Sequence, residues 1–372
     1  MQYPYDVLIV GSGLFGSTCA YELNKLGFRC LVVEKRDHIG GNCFTEQRDG
    51  INVHKYGAHI FHTSNESIWN WINQFATFNH YRHRVKVNHG GKIFSFPINL
   101  STLYQLWGVT TSLEAEKHLA AVRIPHNGND NLESWILSQV GAEIYNIFFK
   151  SYTRKQWDRS PSELPSSIVR RVPIRLMYND DYFDDPYQGI PIGGYSQIFS
   201  QLLANIKVLL NTNYLENRTH FDSQASRILY TGPLDAFFDF RFGKLEYRSL
   251  RFEHTRLDSP DFQSIAVMNY TAAEIPFTRV IEHKHFEFGK QPVTWITREY
   301  PAGPSADREP IYPINTNQSQ QIVGEYKQLS KHPRYSRYYF GGRLAEYRYY
   351  DMHQVIGSAL NRVKEIAQRL TK

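Results

Sequence analysis

The sequence predicts an α/β fold carrying α+β insertions, and three observations predict it. The first 34 residues run strand, glycine-rich turn, helix, strand. Helical periodicity then dominates from about residue 101 to 157. Four β-rich stretches between 245 and 300 are followed by a last short strand, a glycine turn and a long helix. A chain that begins and ends with strand–turn–helix units is expected to join both ends in one layered domain. The helical and antiparallel β segments are then insertions.

The opening carries the most specific signal. Tyr5-Asp6-Val7-Leu8-Ile9-Val10 is an apolar run, and Gly11-Ser12-Gly13-Leu14-Phe15-Gly16 follows at once. Ser17 to Leu23 continues with small and apolar residues at helical spacing, and Leu31-Val32-Val33 is a second strand ending on Glu34. Strand, G-x-G-x-x-G, helix, strand and acid form the Rossmann-like dinucleotide-binding pattern in its full context. Gly11 permits the tight turn, Gly13 lets the backbone approach a pyrophosphate, and Gly16 lets the helix sit close on the strand. Ser12 and Phe15 belong to the same loop. The helix N-terminus offers N–H groups and a positive dipole end to phosphates, and Glu34 stands to accept hydrogen bonds from ribose hydroxyls. Lys35-Arg36-Asp37-His38-Ile39-Gly40-Gly41-Asn42 then adds a second glycine pair. In this the chain resembles the flavoproteins typified by amine oxidases, in which such a segment passes close to the ribityl-phosphate arm. That resemblance implies FAD, with Lys35, Gly41 and Asn42 beside it.

Composition narrows the class. The 372 residues are too many for one simple core, and 41% hydrophobic with 21% charged residues is the balance of a soluble globular enzyme. Aromatics reach 15%, with 25 tyrosines against 23 phenylalanines, which suits wet pockets for sugars and bases. A net charge of +6 favours phosphate-bearing small molecules, but no Lys/Arg run suggests a nucleic-acid groove. Cys19, Cys30 and Cys43 have neither metal-ligand spacing nor a C-x-x-C pair, so they read as reduced thiols with no metal, in a cytoplasmic protein. No signal peptide precedes the first strand, and no stretch approaches the ~20 apolar residues of a membrane span.

Further along, Tyr56 to Thr63 reads as a loop or short strand that brings His59 and His62 together. Glu66 to Phe75 is a helix, and Tyr81–Val87 with Lys92–Pro97 a hairpin about His89-Gly90-Gly91. Asp130 or Asn131 caps a helix whose apolar face runs from Leu132 to Phe148. Ser160 to Pro173 is proline-punctuated, irregular and expected to be a mobile lid. Gly193-Gly194-Tyr195 opens a helix through Leu203, and Val208–Leu210 and Ile228–Tyr230 are short strands. Leu245–Phe252, Ser264–Tyr270, Phe277–His283 and Val293–Tyr300 suggest an antiparallel sheet. Tyr338–Phe340, Gly341-Gly342-Arg343 and a helix from Met352 to Leu370 close the chain. The expected division is an FAD-binding domain from residues 1–78, 191–240 and 316–372. A β-sheet subdomain takes 79–99, 161–190 and 241–315, and a helical subdomain 100–160.

Seven segments carry a closer resemblance. They are G-S-G-L-F-G, G-A-H-I-F-H-T, S-Y-T-R-K-Q-W, I-P-I-G-G-Y, V-M-N-Y-T, P-F-T-R-V-I-E-H-K and G-R-L-A-E-Y-R-Y-Y-D-M. On these the chain resembles bacterial UDP-galactopyranose mutases over nearly its whole length. The resemblance implies interconversion of UDP-galactopyranose and UDP-galactofuranose without net oxidation, through a covalent sugar adduct on N5 of reduced FAD. It also implies an external reductant, a homodimer, and a role in supplying galactofuranose for cell-surface polysaccharide. No protein side chain is the nucleophile. His59, Arg171 and Arg279 support the flavin, and the two arginines grip the diphosphate with planar, bidentate forks. The implied substrate contacts are His83, Phe148, Tyr152, Thr153, Trp157, Arg171, Tyr182, Asn269, Arg279, Tyr312, Tyr349 and Asp351. Arg248 joins them as a further active-site arginine, with Arg251 the competing choice. The implied flavin contacts add His59, Ile60, Gly342, Arg343, Tyr350 and Met352. Two departures stand out: Ala58 where the family often has proline, and His83 where members carry asparagine. The rival function is an amine-oxidase-like FAD oxidoreductase, with a non-catalytic flavin-binding scaffold as a third reading.

Overall fold

A computed structural model describes residues 3–126, 128, 130–170, 172–303, 305 and 309–371. Both chain ends meet in a five-stranded parallel sheet. Its order is Tyr338–Phe340, Ala225–Tyr230, Tyr5–Val10, Cys30–Val33 and Lys207–Leu209. The first and second of the chain's strands, Tyr5–Val10 and Cys30–Val33, lie side by side, joined by helix Leu14–Lys25. Val7, Ile9, Leu31 and Val32 are sealed from solvent, as strands covered on both faces require. The C-terminal helix Met352–Leu370 packs on the first helix through Val355, Ile356, Ala359, Val363 and Ile366. These positions form one apolar stripe, and an Asp351–Gln354 capping box starts the helix.

The second layer is a seven-stranded sheet. Its order is Tyr312–Pro313, Tyr247–Leu257, Thr294–Ala302, Arg279–Glu282, Val267–Tyr270, Val85–His89 and Lys92–Phe96. The four stretches between 245 and 300 pair antiparallel as expected, and the hairpin strand Val85–His89 joins them in parallel with Val267–Tyr270. Each strand's pattern shows which face is buried, not which neighbour it chooses. The hairpin about Gly90-Gly91 is present, but its first strand begins at Val85 rather than Tyr81.

Helices Leu100–Trp107, Ser112–Val122 and Leu132–Ile144 form the third layer. Asn99, Thr111 and Asn131 cap them with side-chain oxygens. Of the two cap candidates Asn131 does the work, while Asp130 accepts from Ser166 and Arg170. Gly141, at φ +76°, breaks the third helix where a Cβ would press on the Val122 carbonyl. The chain then continues as a π-helical turn, Tyr145–Lys150, into helix Ser151–Trp157. Residues 161–163 and 166–168 form two 3₁₀ turns, docked through buried Leu164, Ser166 and Val169.

Candidate active site

The nucleotide cradle is made by backbone at close quarters. Gly13 starts helix Leu14–Lys25 with no side-chain cap, which leaves its first N–H groups open. Gly40 donates its N–H to the Ser12 carbonyl at 3.0 Å, and a Cβ on Gly41 would stand 2.8 Å from the Gly13 Cα. A Cβ on Gly16 would reach within 2.0 Å of the Gly11 oxygen, and one on Gly341 would strike the Phe15 ring. Thus Gly41 meets Gly13, Gly341 meets Phe15 of the same turn, and the three glycine segments interlock. Glu34 accepts from the Ser12 N–H and hydroxyl, each at 2.8 Å, and from the Arg36 N–H.

A dinucleotide fits this cradle. The outer side of Gly13 is open apart from Gly41, so a phosphate meets no side chain there. The buried Nη1 of Arg36 has no protein acceptor among the described residues and suits an anion. Asn42 accepts from Arg36 Nη2 at 2.9 Å, while Lys35 points outward to Glu309. Arg343 donates to the Tyr350 carbonyl at 3.1 Å and lies over the Tyr312 and Tyr349 rings. Met352 touches the Cys43 sulfur at 3.8 Å.

The second constellation centres on Arg279. Its Nε donates to Asn269 Oδ1 at 3.2 Å, and its Nη2 lies 3.4 Å from the Tyr152 hydroxyl. Nη1 lies 3.6 Å from the Glu299 carboxylate, and the side chain is 29% exposed, so the guanidinium keeps an open edge. Burial alone would lower its pKa. Tyr152, Glu299, Tyr312 and Tyr182 outweigh that and hold it above the ordinary value, so Arg279 is a permanent cation. Burial raises the Glu299 pKa, while Arg279 and the Ala58 N–H pull against it. Tyr312 stacks on Tyr349 at 5.5 Å, and Tyr182 donates its N–H to the His83 carbonyl at 2.7 Å. His83 is buried and its pKa is pushed down to about 3, by burial first and then by Arg279 and His62. It therefore stays neutral here.

Partly buried His59 lies in the loop that leads into this region. Its Nδ1 meets the Gly57 carbonyl at 2.9 Å, so that nitrogen carries the proton and Nε2 is left as an acceptor. Burial pushes its pKa down to about 4. Ile60 is partly buried beside it.

The remaining predicted residues divide. Trp157 and Arg248 line a hollow of about 870 Å³ with Arg159, Lys244 and Glu246. Arg248 is buried and donates to the Gln156 carbonyl at 3.0 Å, and so closes the end of helix Ser151–Trp157. Arg251 is half exposed and lies over Tyr300. Thr153 is buried, Phe148 packs between Phe94 and Phe96 in the core, and Asp351 caps the last helix. Arg171 lies outside the described residues. Sequence reading missed Glu299, Lys155 and the His62–Asp185 pair, in which Nδ1 and Oδ2 are 2.5 Å apart. No two-residue period marks Glu299, because Thr294–Ala302 buries residues of both faces, Ile296 and Thr297 among them.

Fold and site together define a Rossmann-type dinucleotide-binding protein with a separate, cationic, tyrosine-walled site for an anionic ligand. A profile of the UDP-galactopyranose mutase family matches residues 147–349, and one of NAD(P)-binding Rossmann-like domains matches 9–75. The chain is 37% identical to a probable UDP-galactopyranose mutase of Klebsiella pneumoniae, over 97% of this chain and 94% of that one. It is 36% identical to a dTDP-fucopyranose mutase of Escherichia coli, over 95% and 96%. A crystal structure of reduced UDP-galactopyranose mutase superposes with a TM-score of 0.76 at 15% identity, covering 99% and 96% of the two chains, a likeness of fold. The chain belongs to the UDP-galactopyranose mutase family. Among the described residues no helix is long and apolar enough to cross a membrane.

Proposed function

We propose that this protein interconverts UDP-galactopyranose and UDP-galactofuranose, using reduced FAD held in the glycine cradle. The observation that carries the reading is Arg279, a permanent cation with an open edge among Tyr152, Tyr182, Tyr312 and Asn269. A diphosphate leaving group needs such a fixed positive charge where negative charge develops. Bound reduced flavin supplies a nucleophilic N5 for the anomeric carbon. Asn269 and Glu299 hold the guanidinium plane, Arg171 adds a second cation, and the tyrosine hydroxyls donate to phosphate and sugar oxygens. His59 and Ile60 orient the flavin, Trp157 and Tyr152 flank the nucleoside, and residues 160–173 close over it. The protein acts in the cytoplasm as a homodimer, with an external reductant, and supplies galactofuranose for cell-surface polysaccharide.

The test is chromatography of UDP-galactofuranose after incubation with the purified protein. UDP-galactopyranose should form only after dithionite reduction, and no oxygen should be consumed. A dTDP-fucofuranose arm belongs in the same experiment, because the two curated relatives differ in the substrate their names give. Turnover of the dTDP sugar alone would reassign the substrate. Oxygen uptake with an amine would favour the oxidoreductase reading.

A further inference from the structure

Helix Ser151–Trp157 is held on the seven-stranded sheet by one unusual contact. The Lys155 ammonium lies 2.8 Å from the Tyr270 carbonyl, 2.9 Å from those of Ala272 and Ile275, and 3.2 Å from that of Phe277. Three N–H protons thus serve four backbone oxygens, the ring of dipoles that otherwise strips water from a monovalent cation. Among the described residues no carboxylate is hydrogen-bonded to it, and Glu274 acts on it at longer range. Because burial costs an ammonium its hydration, Lys155 has a pKa pushed down to about 8.

The placement gives the contact a use. The caged oxygens belong to the turn between strands Val267–Tyr270 and Arg279–Glu282, and those strands pair Asn269 with Arg279. Tyr152 lies three residues before Lys155, on the same side of the helix, with its hydroxyl 3.4 Å from Arg279. Gln156 and Thr278 add a 3.4 Å contact, and Arg248 ties the far end of the helix to another strand through the Gln156 carbonyl at 3.0 Å.

We propose that Lys155 is a positioning residue whose ammonium, caged by the four carbonyls, sets the separation of Tyr152 from Arg279 and Asn269 and so the grip on the diphosphate. The proposal rests on the nucleotide-sugar reading of the site. Without the ammonium the four carbonyls face one another unpaired, the turn opens, and both halves of the site shift. A misplacement of this kind weakens binding without touching the flavin.

The experiment compares flavin-loaded wild type, Lys155→Ala and Lys155→Met. It reads UDP binding by calorimetry, KM and kcat for the UDP-sugar, and hydrogen exchange of segments 151–157 and 269–279. Lys155→Ala should weaken UDP binding and raise KM about tenfold, with kcat changed less, and exchange should speed in both segments. Ammonium or ethylammonium chloride should restore binding and protection in Lys155→Ala but not in Lys155→Met, whose side chain fills the hole. Sodium chloride controls for ionic strength. Unchanged binding or exchange in Lys155→Ala, or a loss that ammonium ions do not reverse, overturns the proposal. Failure of the wild type to bind UDP would instead sink the nucleotide-sugar reading, and the exchange data would still judge the cage.

Discussion

The glycine cradle and the Arg279 cluster achieve specificity by opposite means. The cradle is nearly all backbone. Its contacts are absences of side chain at Gly13, Gly16, Gly41 and Gly341, three of them within a 29-residue stretch. The Arg279 cluster is nearly all side chain. It draws Tyr152 from a helix, Asn269, Arg279 and Glu299 from three strands, Tyr182 from a loop and Tyr312 from a short edge strand. A backbone cradle tolerates no added atoms. A side-chain cluster stands or falls on the charge and the fork geometry of the guanidinium at its centre.

The largest break in that contrast is Gly16→Ala. The new Cβ would stand 2.0 Å from the Gly11 oxygen, a backbone atom that cannot swing aside. Overpacking of this kind costs about 1–3 kcal/mol, and it falls on the loop that receives the pyrophosphate. The purified variant should lack the yellow chromophore by absorbance and show no activity, while dye-monitored melting still shows a folded protein. A variant that keeps full flavin occupancy would refute the interlock.

Arg279→Ala should do the reverse. Flavin content should match the wild type, and kcat/KM should fall about a hundred- to a thousandfold, the size of effect seen when a fixed electrostatic partner of the transition state is removed. Arg279→Lys should recover little, because an ammonium cannot reach Asn269 and Glu299 while facing a diphosphate in the plane of a fork. Loss of flavin in Arg279→Ala would merge the two regions into one.

Acid should expose the side-chain region first. Burial lowers the pKa values of His54 and His83 to about 3 and of His59 to about 4. Below about pH 6.5 the unfolded chain takes up protons that the folded chain refuses, so stability falls as pH drops toward 4. Each histidine contributes at most about 1.4 kcal/mol per pH unit to that slope. Urea midpoints between pH 7 and 4.5 should show it, and His83→Asn should flatten the slope by one histidine's share. An unchanged slope would mean that His83 is charged in the folded state.

The same division explains what the sequence discloses. Strand, glycine turn, helix and acid are local, and each residue's role follows from its neighbours in the chain, so Gly11 to Glu34 is legible without a structure. The four β-rich stretches are legible as strands, but the parallel pairing of Val267–Tyr270 with Val85–His89 joins segments about 180 residues apart. The side-chain cluster becomes legible only through resemblance, since nothing in the spacing of Tyr152, Asn269 and Tyr312 announces that they meet. Lys155 shows the limit. As a letter it is one more surface cation, and its cage exists only once the 270–277 turn has folded around it.

Ala58 supplies the finest probe, because there the backbone region reaches the side-chain one. Its N–H lowers the Glu299 pKa against the rise that burial imposes. The proline that the family often carries has no N–H to give. Ala58→Pro should therefore raise the Glu299 pKa further. While Glu299 is ionised it offsets part of the Arg279 charge, and once it is protonated the site becomes more positive. UDP-galactose, whose diphosphate does not titrate between pH 5 and 8, should thus bind more tightly as pH falls through the Glu299 pKa. In Ala58→Pro that gain should begin at higher pH, with an effect of about twofold at its largest, a few tenths of a kcal/mol. Glu299→Gln should show the tighter binding across the whole range. Superimposable calorimetric curves for wild type and Ala58→Pro would disconnect the loop from Arg279, and a fully tight Glu299→Gln would then place the coupling in Glu299 alone.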